Sequence, residues 1–462
     1  MVELERETFH IEMLMERLNS RRALLQRRIN ALSLISQLPA EILTEIFRLT
    51  CLLSENTHHV ITPLFFGGIC KEWRALAWST PLLWNVVSLN VSRKTHGSQI
   101  NVLGEWLRRA KTSPLFIKLT SDEEHESIFC SLRDIMGILV TRSAYWYSLD
   151  CLLPPQCHDV LKSHEFPLLT SVALRPPKGT ISTFSEPPSM FLSAPKLIDV
   201  DLSGYNFSAM VLPWEQLHRF KTQFLTVAEC LKALRRSPSL KECHLRSIYS
   251  PEIFDSLPSE TLYSDLERLD VFFLKRAAIS LLDNLTLPNL CELNIVNSGS
   301  GDVLYSAVCA LISRSSCHLQ RLSINHQDGF KDDDLIACLE KIPPVTHLRL
   351  VSESARFSGL SDKLITRFRS SHEGEHPFLP KLVSFEYWGS VSCDIRLLVD
   401  VLTERWRAPQ YPDTPGLKTA KITAGGYLDI SDDIQADLRN LVLEGMQVEV
   451  CLIWGYVPAK WA

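Results

Sequence analysis

The chain lacks any apolar run approaching the roughly 18 residues that a membrane-spanning helix requires. It lacks a Cys-x-x-Cys pair, so neither a zinc ribbon nor a thioredoxin-like redox site is suggested. It has almost no net charge: 48 Lys and Arg stand against 53 Asp and Glu, leaving −5. A global basic field is therefore missing, and neither nucleic acid nor an anionic membrane surface is expected as a general partner. The opening residues Met1-Val2-Glu3-Leu4-Glu5 are acidic where a secretory signal is basic and then apolar, so export by that route is not expected. The 13 cysteines are scattered and odd in number, which fits free, buried thiols in a reducing compartment, cytoplasmic or nuclear. Asn90, Asn206 and Asn284 head Asn-x-Ser/Thr triplets, which matter only in a secreted protein.

What is present is a foldable chain, 45% apolar and 22% charged over 462 residues, long enough for several domains or one long repeat array. Three stretches differ in periodicity. Residues 1–33 carry Leu4, Ile11, Leu18, Leu25 and Leu32 at intervals of seven, with Thr8, Met15, Arg22 and Ile29 four residues after the first four. That is a two-position heptad seam on one helix, uninterrupted by Gly or Pro. Glu3, Glu5 and Glu7 near its start and Arg21, Arg22, Arg27 and Arg28 near its end suit the helix dipole. Two readings stand: a homodimer through residues 4–32, or an amphipathic helix packed on its own protein.

Residues 34–90 hold two apolar helical stripes. In the first, Pro39 is suited to the first turn of a helix on which Leu38, Ile42, Leu43, Ile46 and Phe47 recur. In the second, Ile69, Cys70, Trp73, Leu76 and Ala77 define one face, with Trp84 beyond the break at Pro81. A module this small cannot bury so many large side chains, and the surplus points to a docking surface.

The ordered combination Leu38-Pro39-x-Glu41-Ile42-Leu43-x-x-Ile46-Phe47, then Cys70-x-x-Trp73-Arg74-x-Leu76-Ala77, then Ser79-Thr80-Pro81-x-Leu83-Trp84 resembles the F-box, in the form found in F-box-like families of mushroom-forming fungi. The resemblance implies a small all-α module that binds a Skp1-like adaptor and, through it, a cullin. By that resemblance Leu38, Pro39, Glu41, Ile42, Leu43, Ile46 and Phe47 line the adaptor surface, and Cys70, Trp73, Leu76 and Trp84 complete it. The segment from Cys51 to Phe66 lengthens the spacing between the blocks and is expected to be a loop or a longer connection.

From residue 91 to 462 a repeat takes over. Phe166-Pro167-Leu168-Leu169-Thr170-Ser171-Val172-Ala173-Leu174 is echoed by segments beginning at Ala194, Ser237, Tyr263, Leu287, Ser316, Ile342 and Leu379, most reading (small or apolar)-Pro-x-Leu-x-x-Leu-x-Leu. Positions 240, 266, 290, 319 and 345 are separated by 26, 24, 29 and 26, and weaker copies occur at Trp146, Leu217 and Leu417. This is the leucine-rich-repeat period. Each Leu-x-Leu is a strand with one buried face, and helices are expected over 228–236, 305–314, 335–341 and 397–407. The expected fold class is α/β: an N-terminal helix and small all-α module, then an irregular solenoid with parallel strands on a concave face and helices outside.

Catalytic-looking fragments are weak. His372-Glu373-Gly374-Glu375-His376 formally satisfies the zinc-protease pattern, but Gly374 and Pro377 disfavour the helix that the chemistry needs. Asn297-Ser298-Gly299-Ser300-Gly301-Asp302 reads as a turn, without a phosphate-loop Lys. No catalytic residue, metal ligand or cofactor is assigned. The strand positions between the buried leucines are the candidate target surface: Asp199, Asp201, Glu242, His244, Arg268, Asp270, Glu292, Arg321, His347, Arg349 and Glu386. They read as a gradient from acidic to basic, complementary to a protein segment of opposite polarity or simply solubilising. The expectation is a non-enzymatic substrate-recognition subunit of a Skp1–cullin–F-box ubiquitin ligase, whose target protein is unknown. The alternative is a repeat scaffold that feeds no ligase.

Overall fold

A run of helix formers free of Gly and Pro gives helix α1 (Val2–Ala31), with Glu3 and Glu5 in its first turn and Arg28 in its last. The structure is a computed structural model that describes residues 2–32, 34–53, 62–123, 128–152, 154, 157–176, 189–205, 211–250, 261–274, 277–298, 304–327, 329–352, 359–369, 378–408, 416–425, 430–454 and 457–460. The chain forms two units, Met1–Ser88 with Thr95–Phe116, and Leu89–Lys94 with Ile117–Ala462.

The first unit contains α1, α2 (Ala40–Leu53), α3 (Pro63–Ile69), α4 (Lys71–Ser79) and α5 (His96–Ala110). Pro39 sits one residue ahead of α2 and its carbonyl accepts the Leu43 N–H at 3.1 Å, so it caps the helix rather than occupying its first turn. The connection expected between the two blocks is partly helical: α2 runs on through Cys51, and Pro63 opens α3 at the position where a missing N–H costs nothing. Ser54 to His59 lie outside the described residues. The second stripe is broken at Cys70, which is extended and caps α4 by accepting the Trp73 N–H on Sγ at 3.4 Å. The sequence reading starts the repeat array at residue 91, but α5 belongs to the helical unit: Trp106 packs edge-on against Trp84 at 4.7 Å.

In the second unit each repeat contributes a strand. After β1 (Val86–Asn90) and β2 (Leu115–Thr120) come β3 (Trp146–Leu152), β4 (Ser171–Arg175), β5 (Asp199–Asp201), β6 (Arg219–Gln223) and β7 (Glu242–Ile248). Then follow β8 (Leu262–Tyr263), β9 (Arg268–Phe273), β10 (Leu285–Thr286), β11 (Glu292–Asn297), β12 (Arg321–His326) and β13 (His347–Ser352). The series ends with β14 (Ser384–Gly389), β15 (Thr419–Gly425), β16 (Gln447–Trp454) and β17 (Val457–Lys460). From β3 the sheet order follows the chain, except that β8 and β10 pair with each other in a small separate sheet. The ladder is parallel as far as β16, and β17 returns antiparallel. All eight clear copies and the three weaker ones form strands.

The Pro-x-Leu signature has a local cause. The N–H groups of Leu169, Leu197, Leu240, Leu290, Val345 and Leu382 bond back to the carbonyls of Phe166, Ala194, Ser237, Leu287, Ile342 and Leu379, at 3.2 to 3.3 Å. Each closes a β-turn whose second residue is a proline (Pro167, Pro195, Pro238, Pro288, Pro343 and Pro380), where the fixed φ of proline favours the bend. The turn delivers the lead residue to the core, and alternation buries the next two: Leu290, Leu293 and Ile295 are fully enclosed, as are Leu266, Leu269 and Val271. Each such side chain contributes about 1.5–3 kcal/mol by leaving water.

The helices of this unit are α6 (Ile128–Leu139), α7 (His158–Lys162), α8 (Val227–Arg236), α9 (Ala277–Leu282), α10 (Leu304–Ser315), α11 (Asp332–Glu340), α12 (Asp362–Arg367), α13 (Ile395–Arg407) and α14 (Asp432–Leu443). The four expected helices are α8, α10, α11 and α13. From α8 to α14 each packs on the next, forming a second layer over the sheet. Thr226 and Glu229 form a reciprocal capping box at the start of α8. Half-buried arginines clip successive repeats together. Arg314 donates to the carbonyls of Leu282 and Leu285, and Arg405 to those of Phe368, Phe378 and Leu379.

Candidate functional site

Two surfaces carry the expected functional residues, one in each unit. In the helical unit the structure divides the expected adaptor set. Phe47 is fully buried, its ring stacked on Phe66 at 4.0 Å and tilted against Trp73 at 4.8 Å. Leu43 and Trp84 are buried with it. Trp84 donates its indole N–H to the Ala77 carbonyl at 2.7 Å and meets Trp78 edge-on at 5.4 Å. The Arg109 guanidinium lies over both rings, 4.4 and 4.6 Å from their centroids. Leu43, Phe47 and Trp84 therefore hold the module together instead of lining its surface. Cys70, Trp73 and Leu76 are half-buried, and Cys70 is spent on capping.

The solvent-facing remainder is Leu38, Pro39, Glu41, Ile42 and Ile46. Ile42, Ile46 and Leu49 are 50%, 38% and 45% exposed, and their spacing of four and three places them on one face of α2. The sequence motifs do not include Leu49, nor Leu64 and Phe65, which are exposed on α3 along with Ile69. Helical spacing extended one further turn finds Leu49; Leu64 and Phe65 lie in the stretch read as a connection.

On the second unit the expected target-facing residues fall into register. One row runs Asp199, Arg219, Glu242, Arg268, Glu292, Arg321, His347 across β5 to β13. A second runs Asp201, Lys221, His244, Asp270, Asn294, Ser323, Arg349, Glu386, Lys421, Glu449 across β5 to β16. Neighbours in each row pair off. Arg219 bridges Asp199 at 3.1 Å and Glu242 at 2.8 Å, and Lys221 meets Asp201 at 2.8 Å. His244 Nδ1 lies 3.2 Å from Asp270, which also accepts from Asn294 at 3.1 Å. Glu292 is shared by Arg268 at 3.2 Å and Arg321 at 3.6 Å, and Arg349 meets Glu386 at 3.3 Å.

The expected acidic-to-basic gradient is thus replaced by alternating, internally neutralised charge. The residues that overturn it are Arg219 and Lys221 on β6. That copy is hard to see because Phe220 and Thr222, not leucines, fill its core positions. Asp201 shows how the balance is struck: burial pushes its carboxyl up, but Lys221 and the hydroxyl and N–H of Ser203 outweigh it, and the result is a lowered pKa. Asp270 is likewise lowered, burial being overcome by His244 and Asn294. His347 is shifted down by burial and by Arg321, so it adds little positive charge at neutral pH. Partly exposed pairs of this kind contribute about 0–1 kcal/mol each; their main effect is to leave the face without a net field.

One position further along, a third row is apolar apart from Asn325: Phe272, Val296, Asn325, Val351, Trp388, with Val351 buried. Trp388 is the most exposed of these, at 36%. The Leu-x-Leu motif stops one position short of it, although the period of two continues for another pair of residues.

Among the described residues no group of three or more His, Cys, Asp and Glu could hold a metal ion, and no helix is long and apolar enough to cross a membrane. The His372 to His376 cluster lies outside the described residues, as does the end of the Asn297 to Asp302 segment. None of the 13 cysteines forms a disulfide, and Cys243 fills a core position. Comparison with known proteins finds no matching family model and no matching curated protein.

Proposed function

We propose that this protein is a non-enzymatic receptor that joins two other proteins. Its helical unit docks on a Skp1-like adaptor of a cullin ubiquitin ligase, and its leucine-rich-repeat-like array holds the target. The observation that carries the reading is the apolar face of Leu38, Ile42, Ile46 and Leu49, left in water on a module whose aromatic core is already complete. The F-box resemblance assigns that face to the adaptor. On the array, the largely apolar row from Phe272 to Trp388, broken by Asn325, beside two neutralised charge rows suits a target strand or helix that buries aliphatic side chains. Such a contact owes little to long-range steering. The protein supplies affinity and positioning, and other subunits supply the bond chemistry.

The test is affinity purification of the full chain with the proteasome inhibited. Wild type is expected to recover the adaptor, the cullin and a target. Ile42→Asp with Ile46→Asp is expected to lose adaptor and cullin while enriching the target. Trp388→Ala with Phe272→Asp is expected to do the reverse. Adaptor without cullin would favour a scaffold that feeds no ligase, and an unchanged adaptor yield from the α2 double variant would sink the docking proposal.

A further inference from the structure

Helix α1 spans 30 residues, and its seam is bare: Leu4, Ile11, Leu18 and Leu25 are 69%, 57%, 66% and 53% exposed, with Met15 and Ile29 similarly open. It does not pack on its own protein along this face, which removes one of the two readings of the heptad. Helices in water draw most of their stability from burying such a stripe, so this one is built to be covered.

Its charges indicate what covers it. The first half carries Glu3, Glu5, Glu7, Glu12 and Glu16 against a single Arg6; the second carries Arg17, Arg21, Arg22, Arg27 and Arg28 with no acid from 17 to 31. A helix divided in this way is complementary to itself only when reversed. With leucines at one seam position and Thr8, Met15, Arg22 and Ile29 at the other, a parallel pair would stack Arg22 on Arg22 within the core and set Glu7 of one copy against Glu12 of the other. The antiparallel pair layers Met15 on Leu18, Arg22 on Ile11, Thr8 on Leu25 and Ile29 on Leu4 of the second copy. It also brings Glu7 beside Arg28 of that copy, twice by symmetry.

We infer that α1 is the dimerisation element of this protein, pairing antiparallel with α1 of a second copy. The inference is independent of what the helical module or the strand face binds. In the dimer the acidic half of each helix lies along the basic half of the other, and the two ends of the paired seam, Leu4 and Ile29, about 38 Å apart at 1.5 Å per residue, are brought head to tail.

The test is sedimentation of the full chain and its variants, with circular dichroism to confirm unchanged helix content. Wild type is expected to be a dimer, and Leu18→Asp, which places a charge in the central layer, a monomer. Glu7→Arg and Arg28→Glu are each expected to raise the dissociation constant on the order of tenfold, and the two together to restore it. These exchanges bury nothing, so they separate pairing from folding. A wild type that stays monomeric at all concentrations, or assembles beyond a dimer, overturns the inference. So does tighter association of Glu7→Arg, the signature of the parallel arrangement, or a double variant no better than the singles.

Discussion

Gly67 and Gly68 are neighbours in α3, and replacing each by alanine should move stability in opposite directions. Intrinsic propensity favours both changes, since alanine is better than glycine within a helix by about 1 kcal/mol. At Gly68 nothing lies within 4 Å of the added methyl. At Gly67 the new Cβ would stand 2.1 and 2.2 Å from Cη2 and Cζ3 of Trp78. Carbon atoms in contact rest about 3.5–4.0 Å apart, so the ring or the helix must retreat by roughly 1.5 Å. The ring is not free to swing: Trp84 closes on it edge-on at 5.4 Å and Arg109 covers its face at 4.4 Å. Overpacking of this kind costs about 1–3 kcal/mol, which exceeds the propensity gain. Gly67→Ala is therefore expected to be destabilised by about 1–2 kcal/mol. Gly68→Ala should gain up to about 1 kcal/mol. Urea titration followed by tryptophan fluorescence, with Trp73, Trp78, Trp84 and Trp106 as reporters, reads both values. If the two variants shift the midpoint equally in the same direction, the close packing of Trp78 on α3 is wrong.

Phe47→Ala should cost about 3–5 kcal/mol by emptying the aromatic stack, whereas Ile42→Asp on the exposed face should stay within about 0.5 kcal/mol; thermal melts of both variants check the division between core and surface. Thr226→Ala removes the capping box of α8 and is expected to lower stability by about 0.5–2 kcal/mol, with Thr226→Ser largely restoring it. Arg314→Ala leaves the Leu282 and Leu285 carbonyls without their charged donor and should cost about 1–3 kcal/mol, read by hydrogen exchange at α9 and β10. Asp201 and Asp270 have folded pKa values below the ordinary one, so their contribution is complete above the unfolded value of about 4 and is lost as pH falls through the folded one. Unfolding midpoints should accordingly drop on the acid side. In Lys221→Met, burial then acts on Asp201 without its main counterweight, and carboxylate NMR should show that residue titrating at higher pH.

By itself the sequence determined the repeat. A proline pre-set for a turn, a leucine delivered to the core and two alternating apolar residues are local instructions, and each acts within nine residues whatever lies elsewhere in the chain. The boundaries of α8, α10 and α13 and the existence of α1 were legible for the same reason: apolar period and the absence of breakers are properties of a short window. What only the tertiary structure decided is which apolar residues are left over. Leu43 and Ile42 are adjacent and chemically alike, yet one is buried and the other bare, because burial depends on where α3 and α4 approach α2. The same holds for charge. Asp199, Asp201 and Glu242 read as an acidic start to the face, but parallel register sets Arg219 between Asp199 and Glu242, and Lys221 beside Asp201. A field is a sum over neighbours in space, and the sequence orders neighbours only along the chain.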